Sequence, residues 1–183
     1  MTLETSTNLK DLKLELRLLI DRILGLVNRI HVSGEGCSLK IVSNTLTRLL
    51  QRLRALKIIR SKDEVILSVL VVDSVEMAFL NNKYRKKNGP TDVLSFENQD
   101  RSPVKGYLFM GDLVICPEVI RIQAKAQKNR FSRELEVIIV HGLLHLMGFD
   151  HEKSTAKAKK MADLEKKLLR SSGLISRGLV KGR

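Results

Sequence analysis

The chain has 183 residues, 43% apolar and 29% charged, the size and balance of one ordinary globular domain. It has no Trp, two Tyr and five Phe, which argues against an aromatic-caged binding module. Its net charge of +13 attracts polyanions, nucleic acid first among them, although a basic face can also be no more than solvated surface.

Glu4, Asp11 and Glu15 lie among the basic residues of the amino terminus, and charge interrupts its apolar stretches, so no signal peptide is expected. Residues 12–27 and 39–56 have helix-like apolar spacing on either side of the turn-rich segment Ser33-Gly34-Glu35-Gly36, with room for a strand at 29–32. Residues 64–73 form a β-branched run bounded by charge and read as a buried strand. The apolar part of that run contains Ser68 and is far too short to span a bilayer, so a soluble protein is expected. Asp73 or Ser74 can cap a helix through Val75, Met77, Phe79 and Leu80.

After Asn88-Gly89-Pro90, residues 91–96 alternate as a strand that buries either Val93 and Ser95 or Leu94 and Phe96, depending on register. A further strand at 106–116 ends at Pro117, and 117–128 has helical spacing. Ser132 is the expected cap of a long helix, with Glu134 and Glu136 in its first turn and Gly148 at its end. A last helix at about 154–169 puts Met161, Leu164 and Leu168 on one face, and a basic, flexible tail is expected at 171–183. Cys37 and Cys116 form neither a C-x-x-C pair nor a disulfide framework, which points to a reducing, cytoplasmic setting.

Three of the four histidines fall within eleven residues, H-G-L-L-H-L-M-G-F-D-H from His141 to His151. Four helical residues advance the azimuth by about 40°, so His141 and His145 project side by side, one turn apart. Gly148 lets the chain turn back and deliver His151 to a third position. Three imidazoles with one place left for water describe a catalytic zinc site, one ion per chain, although imidazole suits other transition metals too. His31 stands alone and reads as a surface or partly buried residue. The spacing also matches metzincin proteases, but their general-base Glu is here Gly142, which cannot take a proton.

The run HGLLHLMGFDH resembles the signature of the YbeY endoribonucleases. The segment L-N-N-K-Y-R-K-K-N-G-P-T-D-V-L-S-F at 80–96 and G-D-L-V-I-C at 111–116 are similar to two further motifs of that family, in the family's order. The resemblance covers about residues 64–170 and implies a single α/β (α+β) domain, a small mixed sheet packed with helices, with the metal site on a long helix and the following turn. It implies zinc ligands His141, His145 and His151, and a functional Arg85 whose guanidinium would orient the scissile phosphate.

The activity implied is metal-dependent, single-strand-specific cleavage in ribosomal RNA maturation. The partners are then single-stranded RNA, rRNA, and the small ribosomal subunit with its assembly factors, with neither DNA nor membrane expected. The competing readings are an RNA-binding assembly factor with little cleavage and a metzincin-like hydrolase. Asp92 and Asp112 suit turn capping or outer-sphere hydrogen bonds as well as catalysis, Glu134 is a first-turn charge or a partner of the histidines, and Asp150 orients a ligand or forms the turn. The first 60 residues show no clear family pattern. The expected division is therefore an N-terminal extension packing on the domain at 1–60, a catalytic region at 61–170 and the tail.

Overall fold

The structure, a computed structural model, describes residues 30–34, 39–98, 106–149 and 155–170. The helix expected at 12–27, together with Cys37, Asp150, His151 and the tail, lies outside them. In chain order the described elements are β1 (Ile30–Gly34), α1 (Leu39–Ala55), β2 (Glu64–Val71), α2 (Ser74–Arg85), β3 (Val93–Glu97), β4 (Tyr107–Ile115), α3 (Pro117–Ala126), α4 (Phe131–Leu146) and α5 (Thr155–Arg170).

The strands form one sheet in the order β1-β2-β4-β3. β1 and β4 run parallel to β2, and β3 closes one edge antiparallel to β4. β2 reads as a continuous apolar run because both faces of the sheet are covered. Leu67, Val69 and Val71 face the larger core with α1, α4 and α5, while Leu70 and Val72 face a smaller cluster with Met77 and Leu80 of α2.

Double coverage also resolves the register of β3. Val93 is buried in the larger core and Leu94 in the smaller one, so this strand has two covered faces at its start and not the single one its alternation suggests. Gly111 forms a bulge in β4 at φ +117°, where a Cβ would lie 2.2 Å from the carbonyl oxygen of Phe96, so only glycine fits this bend.

Asp73 is the cap of α2, its Oδ1 accepting from the Glu76 N–H at 2.8 Å. The long helix departs from expectation: it starts at Phe131 with Arg130 in the cap position and no side-chain cap, and Ser132 lies inside the first turn. The tight approach from α3 is the reason. The Asn129 N–H closes back on the Ala124 carbonyl, and buried Glu134 accepts from the side chains of Gln127 and Asn129.

One buried carboxylate ties three helices. Glu136 of α4 pairs with Arg52 of α1 and with Arg133, and Arg52 also donates to the Leu168 carbonyl of α5 at 3.2 Å. Leaving either charge without its partners inside the protein would cost several kcal/mol, so this network fixes α4 and α5 relative to one another.

Candidate metal centre

The helix α4 is positioned by its buried residues, Leu135, Ile139, Val140, Leu143 and Leu144 among them. Gly142 brings it close to the sheet: a Cβ there would meet Leu113 Cδ2 at 2.9 Å, Ser95 Oγ at 3.3 Å and Val93 Cγ2 at 3.4 Å. The position that a metzincin gives to its general base is therefore filled by the sheet, which closes that reading on steric as well as chemical grounds.

His141 and His145 stand in the last turns of the helix, half-buried. Their rings lie 4.7 Å apart at an interplanar angle of 76°, and their Nε2 atoms are 3.2 Å apart. Glu165 of α5, itself buried, reaches the opposite nitrogen of His141, with Oε1 2.8 Å from Nδ1. An ionised carboxylate only accepts, so Nδ1 carries a proton, and in the neutral ring Nε2 of His141 then presents a lone pair toward His145. Two ring nitrogens at 3.2 Å with a lone pair between them need a proton or a cation to bridge them.

The pair fits a metal ion. Nitrogens bound at about 2.05 Å in tetrahedral geometry are about 3.3 Å apart, close to the separation found here. After His145 the chain reverses through a fixed geometry. The Phe149 N–H donates to the Leu144 carbonyl at 3.0 Å and the Gly148 N–H to the His145 carbonyl at 2.8 Å, with Gly148 at φ +81°. This reversal leads directly to the segment holding His151, which lies outside the described residues.

Arg85 is the last residue of α2, exposed, on the opposite face of the sheet from the histidines. The edge strand β3 lies between, with Ser95 toward α4 and Phe96 toward α2. Tyr84 rests edge-on against Phe96 at 4.9 Å, and Asn81 holds the following loop through a 2.9 Å bond to the Gly89 carbonyl. Lys83, Arg85, Lys86 and Lys87 make this end of the helix strongly basic.

The remaining polar positions divide clearly. Asp92 accepts from its neighbour Val93 N–H at 2.8 Å and from Gln123 Nε2 at 3.1 Å, which knits the start of β3 to α3. Asp112 is buried within β4, in register with Ser68 of β2 and Phe96 of β3. Glu134 serves the turn before α4, so the carboxylate that meets His141 is Glu165, 24 residues further along the chain. Its sequence signal was position alone: it shares the apolar stripe of Met161 and Leu168, where a carboxylate needs a reason to be buried.

The fold and this pair define a small α+β protein with two adjacent imidazoles, one of them held from behind by a carboxylate. The sequence profile described as Endoribonuclease YbeY matches residues 33–173, and the chain belongs to that family. The match begins well before the motif region and takes in α1, so the family pattern extends into the first 60 residues.

A curated Endoribonuclease YbeY of Thermodesulfovibrio yellowstonii is 45% identical over 105 residues, 57% of this chain and 65% of the relative. That of Pseudoalteromonas translucida is 43% identical over 59% of this chain and 70% of its own, and that of Legionella pneumophila strain Corby 38% over 67% and 77%. The chain thus spans about two thirds to three quarters of the length of these curated relatives. A solution structure of a Thermotoga maritima protein superposes with a TM-score of 0.53 over 79% of this chain and 91% of its own at 24% identity, a likeness of fold. No helix among the described residues is long and apolar enough to cross a membrane.

Proposed function

We propose that this chain is a zinc-dependent, single-strand-specific endoribonuclease acting in the cytoplasm on ribosomal RNA, at the 3′ end of the small-subunit RNA and in ribosome quality control. The observation that carries the reading is the 3.2 Å approach of the His141 and His145 Nε2 atoms with a carboxylate behind one of them. His151 is the third ligand in this reading. When bound, the ion would supply Lewis acidity toward a phosphate oxygen and ionise water near neutral pH.

The protein's own part is to hold the substrate. Both imidazoles are half-buried, so neither ring is wholly enclosed by the protein. Arg85 supplies paired donors matched to phosphate oxygens, and its basic neighbours attract the backbone. The small ribosomal subunit and its assembly factors are the partners that go with such a substrate.

Elemental analysis of the purified protein, with end-group analysis of a cleaved RNA, tests the proposal. One equivalent of zinc and cleavage that stops on chelation and returns with zinc are expected. A 3′-hydroxyl end identifies water as nucleophile, and a cyclic phosphate identifies the ribose hydroxyl. Full cleavage by rigorously metal-free protein would overturn the proposal.

A further inference from the structure

We infer that Glu165 is the positioning residue of the metal centre, holding His141 in the tautomer that leaves Nε2 free for an ion and joining the last helix to the site; this rests on the metal reading above. Glu165 lies 2.8 Å from Nδ1 of His141, the ring nitrogen that faces away from His145. It is therefore no ligand of an ion held between the two Nε2 atoms. What it does is accept a hydrogen bond from Nδ1–H, which would leave the Nε2 lone pair available to an ion, and add negative charge that makes the imidazole a stronger donor.

Burial makes the arrangement specific. The Glu165 side chain is 11% exposed, against 32% for His141. A carboxylate this enclosed needs partners to offset its lost hydration. It stands between Met161 and Leu168 on the face that α5 turns to the core, so the packing that seats the helix also aims the carboxylate. Neither the histidine motif nor Arg85 involves α5. Glu165 gives this helix a place in the chemistry, and seating of α5 and metal binding become linked through one hydrogen bond.

The test uses the full chain with Glu165→Gln, Glu165→Ala and the wild type. In metal-free protein with neutral rings, nitrogen-15 long-range NMR reads which nitrogen of His141 carries the proton. The wild type is expected to show Nδ1–H alone, and the Ala variant a mixture.

Zinc affinity, measured by competition with a chromophoric chelator, is expected to fall about 10- to 100-fold in Glu165→Ala. Glu165→Gln, nearly isosteric and still able to accept, should lose less. Cobalt(II) at saturation should give the same visible spectrum in all three, because the ligand set is unchanged. A wild-type affinity for zinc in both variants, or a His141 tautomer that ignores the substitution, would overturn the inference. An altered cobalt spectrum would overturn it too, by making Glu165 a ligand. Failure of the wild type itself to bind zinc or cobalt would instead sink the metal reading, while the tautomer measurement still judges the hydrogen bond.

Discussion

Gly142 lies so close to Leu113 that a β-carbon at this position would stand 2.9 Å from Leu113 Cδ2. The contact decides how deeply α4 sits on the sheet, and so how the histidines on either side of it in the chain emerge. Gly142→Glu would recreate the H-E-x-x-H pattern of a zinc protease, yet the carboxylate would enter the apolar space between Val93, Ser95 and Leu113. We predict a loss of about 3 kcal/mol or more, from overpacking together with an unpaired buried charge, and no peptidase activity. Thermal melts and a casein assay check this; a stable variant that cleaves peptide bonds would show that the helix can lift off the sheet.

His145→Ala is predicted to remove most of the bound metal and all cleavage while leaving the melting temperature of the metal-free protein near wild type. The imidazole is half-buried and packs at the end of the helix, outside the core. Metal content, with melts in chelator, separates the two effects. A variant that retains one equivalent of metal would show that the ligands are different residues.

Much of this was legible in the chain because its signals are local. The i, i+4 histidine pair needs only a helix, and the cap at Asp73, the glycine after α4 and the β-branched β2 are each written within a few residues. Glu165 was not legible, since its partner is 24 residues away and only the packing of α5 on α4 brings them together. The start of β3 was misread for the same reason: period-two alternation presumes one covered face, and which faces are covered depends on α2 and α4, distant in sequence. The cap of α4 failed at shorter range, where the closure of the turn after α3 overrode the preference of Ser132.

Cys116 offers a pH prediction. Burial pushes its thiol above the ordinary 9.0, with the nearby carboxylates of Glu118 and Asp73 acting in the same direction. The fold thus favours the neutral thiol. Its contribution to stability is complete below the unfolded value and is lost as pH rises through the folded one. Between pH 8 and 10.5 the melting temperature of a Cys37→Ser protein should fall more steeply than that of the same protein carrying Cys116→Ala, and Cys116 should react with a thiol reagent only on unfolding. Fast labelling of the native protein would show that the site is open.

Association with single-stranded RNA should weaken steeply with salt, because a chain of net charge +13 that neutralises phosphates releases their counterions. If four phosphates are contacted, the slope of log affinity against log salt is about −2.8 on single strands. Replacing Lys86 and Lys87 by Gln should make the slope shallower by about 0.7 per lost contact, with little change in metal content. Fluorescence anisotropy across a salt series measures this, and a flat dependence would assign the positive charge to some other purpose.

Arg85→Ala tests whether the two sides of the edge strand serve one reaction. The histidines occupy one face of the sheet and Arg85 the other, with β3 between them, so a substrate held by both must cross that edge. If Arg85 stabilises charge on the scissile phosphate, its loss should lower cleavage by about 100-fold or more while metal content and melting temperature stay near wild type. Arg85→Lys should recover only part of the loss, because a point charge does not reproduce the paired donors of a guanidinium.

A bracing role makes a different prediction. Arg85 is followed directly by Lys86, which closes α2 at φ +57°, and the loop that runs on to Pro90 is already held by Asn81 and Asn82. Were Arg85 a further brace, the alanine variant would lose stability and activity together. Melts, metal analysis and cleavage rates on the same preparations decide between the two, and unchanged cleavage by a stable Arg85→Ala protein would remove this residue from the site.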